Sequence, residues 1–473
     1  VPFVNCKLLI VHCYVTSRMT AFADTIVALS TAPGVGAIAV IRLSGEDAIL
    51  ITNKVFSGKN LEKQASHTVH FGIIRYNERV VDEVLVTLFK APTSFTKENV
   101  IEISCHGSPY IVKEIIKVLL ANGARLAKAG EFTQRAFLNG QFDLAQAEAV
   151  ADLINSDSTA SHEAAMNQMR GGFSEQIKTL REELIHFASM IELELDFGEE
   201  DVEFADRDDL KSLINNLLTA INALIKSFDL GNVIKNGVPT VIAGKPNAGK
   251  STLLNALLNE ERAIVSDIAG TTRDIIEDEI NIEGINFRFI DTAGLREATD
   301  TIEAIGVERT QEKMRAAALI IYMFDLSQEP LTDILREVNR LENNGKPFIC
   351  VGNKIDKADQ EIVDKLSSNK HFVLISASQK SKIENLKSKI LEIVNLDDFK
   401  SGDTIVTNIR HYDNLLKTRN ALQDVLNGLD TNVTGDFLAM DIRQSLHYLG
   451  EITGEITTDD LLANIFSKFC IGK

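Results

Sequence analysis

The chain has 473 residues, 45% hydrophobic and 25% charged, which suits about two to four domains with separate cores and excludes wholesale disorder. Its 67 acidic against 49 basic side chains give a net charge of -18, which argues against a general grip on phosphate backbones and leaves nucleic-acid contact to a local patch or a partner. Five scattered cysteines without a CxxC pair exclude a disulfide framework or a zinc pattern and fit a reducing cytoplasm.

Residues 1–18 are expected to be a non-native, upstream-translated or disordered appendage, with Met19 as the natural start, because the apolar stretch has one preceding lysine and no clear cleavage site. From residues 25 to 130, β-rich runs ("AIAVIRLSG", "VVDEVLVTLFK", "NVIEISCHG") alternate with helical ones ("IVKEIIKVLLANG"), which predicts an α/β or α+β domain over 19–137. Cys105-His106 lacks further ligands at metal spacing and reads as packing. Over 138–234 the apolar period becomes helical: Ile177, Leu180, Leu184, Phe187 and Ile191 step by three and four, as do Leu210, Leu213, Leu217, Ile221 and Leu224. The acidic "DFGEEDVEFAD" between these stripes lacks any catalytic-loop companion and reads as a solvated linker. "DLGNVIKNG" looks like a turn-rich junction into strand–helix alternation over 235–397, and "NLDDFKSGD" like a second. Helical spacing resumes over 398–473, at Leu422, Val425 and Leu429 and at Ile442, Leu446 and Leu449. The economical architecture is a discontinuous helical domain with an α/β domain inserted into it. The longest apolar run, residues 316–324, is nine residues and far short of a membrane span.

The inserted segment carries the chemistry. "GKPNAGKS" (residues 244–251) satisfies G-x-x-x-x-G-K-[ST] after the strand-like "PTVIA", so backbone N–H groups at a helix start can close around phosphates. Asn247, Ala248, Gly249, Lys250, Ser251 and Thr252 form this cradle, with Lys250 directed at the β- and γ-phosphates and Ser251 at Mg²⁺. Thr272 in "GTTRD" offers a second hydroxyl to Mg²⁺, and Asp291, Thr292, Ala293 and Gly294 follow the strand "INFRFI" to reach the metal's water shell and the γ-phosphate. Asn353, Lys354 and Asp356 follow "PFICVG". Asp356 can accept guanine N1–H and the 2-amino group, where adenine has no donors and would strand a carboxylate. Ser376, Ala377 and Ser378 close the base pocket. Motifs in this order, each after a strand, specify a mostly parallel Ras-like sheet with helices on both faces that hydrolyses GTP. Leu295 occupies the position where a glutamine would orient the attacking water, which an isobutyl group cannot do.

"GEFTQRAFLNGQFDLAQAEAVADLI" (residues 130–154), "TAPGVGAIAVIRLSG" (residues 31–45), the inserted GTP-binding domain and the terminal "CIGK" together resemble the tRNA modification GTPase family MnmE (TrmE), from about residue 24 to the end. The resemblance implies a cytoplasmic homodimer whose N-terminal domain over 19–137 binds tetrahydrofolate and dimerises. It also implies an FAD-dependent partner, MnmG, in a heterotetramer or larger complex, and an aminomethyl-type group installed at C5 of the wobble uridine of certain tRNAs. Arg42, Glu102, Gln141 and Lys473 are the implied folate contacts, with Gln141 standing where the family usually has lysine. Asn247, Ser266, Ile268 and Thr271, within the segment Ser266, Asp267, Ile268, Ala269, Gly270 and Thr271, are the implied potassium site beside the phosphates. Glu303 is implied to orient water in place of the missing glutamine. Cys470 is either a nucleophile that adds to uracil C6 or a positioning thiol. A prenylation box does not fit it, because a glycine and a terminal lysine break the pattern and no polybasic run precedes it. The rival function is a regulatory GTPase switch in ribosome assembly or signalling, which would need neither a folate motif nor the tail.

Overall fold

The computed structural model describes residues 24–196, 207–261, 278–290, 314, 317–393, 404–431 and 433–472. These fall into two compact units, one comprising Val1–Ala151 with Gly450–Lys473 and the other Asp152–Leu449. The linker "GEEDVEFAD" and the whole of "NLDDFKSGD" lie outside the described residues, as do Ser266 to Thr272, Asp291 to Leu295, Glu303 and Lys473.

The first unit is built on a seven-stranded sheet: β1 (Ile26–Leu29), β2 (Ile38–Ser44), β3 (Phe56–Ser57), β4 (Thr68–Tyr76), β5 (Arg79–Phe89), β6 (Val100–His106) and β7 (Arg125–Leu126), in the order β3-β4-β5-β6-β2-β1-β7. Only β1 and β7 run parallel; every other pair is antiparallel. Alternation along the strands sends Ile41 and Leu43, Val84, Val86 and Leu88, and Ile101 and Ile103 to one face, where helices α1 (Ala48–Val55) and α2 (Pro109–Ala121) cover them. Cys105 joins that core, and burial pushes its thiol up to about 11. Helices α3 (Glu131–Leu138) and α4 (Leu144–Asn155) bury Phe137, Leu144 and Ala147 against Leu462 and Phe466 of the C-terminal helix Asp459–Ser467.

The second unit holds helices α5 (Thr159–Met169), α6 (Gly172–Asp196) and α7 (Arg207–Asn236) and a six-stranded sheet. Its strands are β8 (Val238–Gly244), β9 (Asp278–Ile282), β10 (Ile285–Phe289), β11 (Leu319–Asp325), β12 (Phe348–Asn353) and β13 (Phe372–Leu374), in the order β13-β12-β11-β8-β10-β9. All neighbours are parallel except β9 and β10. The central strands β8, β11 and β12 are buried almost throughout because both faces are covered, whereas β9 (DEINI) carries polar residues at the sheet edge. Ile321, Met323, Ile349 and Val351 pack beneath α8 (Lys250–Glu261), while Ile320, Phe324, Phe348 and Cys350 pack beneath α9 (Leu331–Glu342).

"DLGNVIKNG" is not a junction. Helix α7 runs through it to Asn236 and stops at Gly237, whose φ is 70°. Gly231 is helical, and a side chain there would be 2.0 Å from the Val406 carbonyl; its absence lets residues 405–406 lie against the helix, where Val406 N–H donates to Ser227 Oγ at 3.1 Å. Tertiary contact thus overrides the local turn signal. Helix α7 is also long and apolar enough to span a membrane, which the longest uninterrupted apolar run did not reveal. Its stripe Leu210, Ile214, Leu217, Ile221 and Leu224 is buried, and Phe228 stacks on Tyr412 of the helix Ile409–Asp430 at 4.3 Å, as in a packed core helix.

Candidate functional site

Strand β8 ends at the point where the sheet order reverses, with β11 on one side and β10 on the other, and a crevice for ligand opens beyond such strand ends. The loop leaving β8 bends through Gly244 (φ 142°), Asn247 (φ 63°) and Gly249 (φ 101°) before α8 starts at Lys250. Side chains are excluded at both glycines: a Cβ on Gly244 would sit 2.4 Å from the Met323 carbonyl, and one on Gly249 would sit 2.2 Å from Asn353 Nδ2. Lys250 folds back over the loop, its Nζ donating to the Gly244 and Lys245 carbonyls at 2.8 Å each. Burial lowers its pKa below the ordinary lysine value, with Glu329 pulling the other way. Ser251 and Thr252 follow on the first turn of α8, and Asn247 is exposed at the bend.

Asn353, at the end of β12, joins the two halves of this crevice. Its Nδ2 donates to the Ala248 carbonyl at 2.8 Å, and its Oδ1 accepts from Ala377 N–H at 3.0 Å. The phosphate-type loop and the base-type loop are therefore fixed to one another by a single amide that is 3% exposed. Lys354, left-handed at φ 63°, turns the chain so that its ammonium meets Asp325, and Asp356 follows in a single 3-10 turn. The Asp356 carboxylate is exposed and accepts from Ser376 Oγ at 2.6 Å, which holds its pKa below the usual carboxylate range. Ser376 is itself held by reciprocal backbone bonds with Ser381, and Ser378 is exposed beside it.

Sequence reasoning missed Asp325 and Glu329. Asp325 closes β11; its backbone N–H donates to Glu329 Oε1 at 2.8 Å, and Glu329 pairs with Lys245 of the phosphate-type loop at 3.1 Å. An acid at the carboxyl end of a strand beside the switch point was the available signal.

A second constellation lies on the first unit. Antiparallel register sets Arg42 of β2 directly opposite Glu102 of β6, and Arg42 Nε and NH2 both donate to Glu102 Oε1, at 3.0 and 2.7 Å. Both side chains are half-buried on the face away from α1 and α2. The Arg42 guanidinium lies 5.6 Å from the Phe95 ring centre and 5.8 Å from that of Phe132. Phe95 in turn contacts Phe142, the neighbour of exposed Gln141, at 5.9 Å. The pair and its rings form a polar couple flanked by aromatic faces, suited to a flat heterocycle with donors on one edge.

The tail is seated on the same unit. Ala129 and Ile471 form an antiparallel bridge, Gly130 N–H donates to the Cys470 carbonyl at 3.4 Å, and Ser30 Oγ donates to the Gly472 carbonyl at 3.1 Å. A Cβ on Gly472 would sit 2.2 Å from the Leu29 carbonyl, so this seat admits only glycine there. Cys470 is exposed, whereas Cys105 and Cys350 are buried, the latter thiol pushed up by burial to about 12.

A family model described as the MnmE helical domain matches residues 144–470, and one described as the GTP-binding protein TrmE N-terminus matches residues 25–141. Over 458 residues the chain is 63% identical to the tRNA modification GTPase MnmE of Cytophaga hutchinsonii, covering 97% of this chain and 100% of that one. It is 55% identical over 460 residues to the protein of the same name from Flavobacterium psychrophilum, covering 96% and 100%. Over 33% of this chain and 96% of the other, it is similar to the FeoB G-domain from Methanococcus jannaschii, at 25% identity and a TM-score of 0.24.

Proposed function

This chain belongs to the MnmE family of tRNA modification GTPases, and from that premise we propose that it is a potassium-dependent GTPase that modifies C5 of the wobble uridine of certain tRNAs. It is a GTP hydrolase acting in tRNA modification. In the proposed reaction it works as a homodimer with an FAD-dependent partner of the MnmG type, through which most tRNA contact is made. The group added is of the aminomethyl type and takes its one-carbon unit from a tetrahydrofolate derivative.

One observation supports the finer reading most: the Arg42–Glu102 couple with its aromatic neighbours belongs to the same compact unit that seats residues 470–472. A GTPase that only switches conformation needs neither. A bound tetrahydrofolate derivative would supply the one-carbon unit, with Arg42, Glu102, Gln141 and Lys473 to hold it. Cys470, exposed at that seat, either attacks uracil C6 or positions the tail.

At the nucleotide, Lys250 exchanges its two loop carbonyls for phosphate oxygens. Asp356, with Ser376 behind it, accepts the two guanine donors. Ser251 and Thr272 would hold Mg²⁺, helped by Asp291. Leu295 cannot orient water, so Glu303 takes that task. A monovalent cation at Asn247, Ser266, Ile268 and Thr271 would supply the positive charge that an arginine finger supplies elsewhere.

Titrating the full-length protein with 5-formyltetrahydrofolate tests the reading. Binding should be saturable in the wild type and lost in Glu102→Ala, with GTP affinity unchanged in both. Absence of any reduced-folate binding by the wild type would leave the switch as the better reading.

A further inference from the structure

The segment 130–137, "GEFTQRAF", carries two of the most buried charges in the first unit, and neither has a role in the chemistry above. Glu131 is 2% exposed and Arg135 0%. Glu131 is the first residue of α3, and its Oε2 accepts from Lys128 N–H at 2.8 Å, closing the turn over residues 128–130. Arg125 grips the same carboxylate with two nitrogens, at 2.6 and 3.1 Å, and reaches Asp24 Oδ2 at 2.6 Å with its Nε. Arg135 donates to Asp24 Oδ1 at 2.7 Å, to the Asp24 carbonyl at 2.8 Å and to Glu131 at 3.2 Å, and lies 3.3 Å from Glu98. Two arginines and three carboxylates thus tie the start of β1 to the turn before α3.

Those two elements are the walls of the tail's seat. The turn bonds Cys470 and Ile471 through Gly130 and Ala129, and the end of β1 contacts Gly472 through Leu29 and Ser30. We propose that the network of Asp24, Arg125, Glu131 and Arg135 is the positioning device of the terminal tail, fixing the separation of β1 and the 128–130 turn and so the placement of residues 470–472. Glu131 and Arg135 are buried while Arg125 and Asp24 are partly exposed; exposed ion pairs add little stability, and buried ones add little over packed apolar side chains of the same volume, so fixed geometry is the better account of this network. The functional consequence rests on the reading that the tail belongs to the modification centre.

The test uses the full chain. Glu131→Gln sets an amide N–H₂ against arginine and backbone donors, while Arg135 keeps Asp24 and Glu98, so the fold survives. Gly130→Ala acts sterically: its Cβ, at a φ of 64°, would meet the Phe466 carbonyl at 2.6 Å and lift the end of the last helix while leaving the charges in place. Ile115→Val, on the buried face of α2, is the control for general destabilisation. Deuterium exchange of the peptide spanning residues 466–473 should quicken about tenfold in Glu131→Gln and Gly130→Ala and stay at the wild-type rate in Ile115→Val. In the reconstituted system the first two should lower the kcat of modification without moving its KM for tRNA, and GTP hydrolysis should be unchanged. Wild-type tail exchange in Glu131→Gln, or the same rise in Ile115→Val, would overturn the proposal. Faster tail exchange with an undiminished kcat would uphold the positioning role and refute the tail's place in the modification centre.

Discussion

Removing the Asn353 side chain should uncouple phosphate recognition from base recognition. In Asn353→Ala the Ala248 carbonyl and the Ala377 N–H both lose their partner inside a buried crevice. An unsatisfied buried donor or acceptor costs about 1–3 kcal/mol, so the pair sums to about 2–6 kcal/mol. Water entering the vacated space recovers part, leaving about 2–4 kcal/mol. Much of this falls on nucleotide binding, because the amide sits where a Gly249 side chain would be and holds that loop at its bend. Affinity for GTP should therefore fall about 30- to 1000-fold. Equilibrium titration of the full chain with a fluorescent GTP analogue in excess Mg²⁺ measures it directly. Affinity within threefold of the wild type would refute the reasoning, since the two loops would then hold their relation without the amide.

Asp356→Asn should move preference from GTP toward xanthosine triphosphate, whose 2-position acceptor needs a donor opposite it; unchanged GTP affinity in a competition assay would reject the guanine assignment. The first unit should lose stability in acid. The Arg125 hydrogen bond chiefly holds Asp24 below its ordinary value, and at Glu131 burial pushes upward but is outweighed by Arg125, Lys128 N–H and Arg135. Depressed carboxylates contribute stability above their unfolded pKa, about 4, and lose it as pH falls through the folded values, so resistance to denaturant should drop between pH 5 and 3. A flat or rising profile over that range would contradict the network. GTP hydrolysis should run much faster in K⁺ than in Na⁺ at equal ionic strength, and Asn247→Ala should abolish the difference; equal wild-type rates in the two salts would remove the cation from the account.

What was legible in the sequence was contiguous. The residues around Lys250 and around Asp356 must sit together in the chain because backbone N–H groups and short turns make those sites, so their motifs survive as strings. Strand alternation likewise gave β2, β5 and β6, and helical stripes gave α6 and α7. The Arg42–Glu102 couple was not legible as a couple. It is made by antiparallel register between strands 60 residues apart, and tertiary packing sets that register. Asn353 was read as part of the base motif, but its bond to Ala248 depends on β12 reaching the same level as the loop after β8 across β11. The end of α7 was misread because Gly231 and Gly237 look alike locally, and only the approach of residues 405–406 distinguishes them. The seat of the tail brings residues 29–30 and 129–130 to residues 470–472, segments far apart in the chain, and leaves no local pattern.

The central claim is that this GTPase modifies the wobble uridine. Mass spectrometry of tRNA nucleosides tests it most directly, in cells lacking the chain and in the same cells supplied with the wild type or with a form ending at Phe469. The account predicts loss of the C5 aminomethyl-type group without the chain, restoration by the wild type and none by the shortened form. A full complement of the modified nucleoside in cells lacking the chain would contradict it.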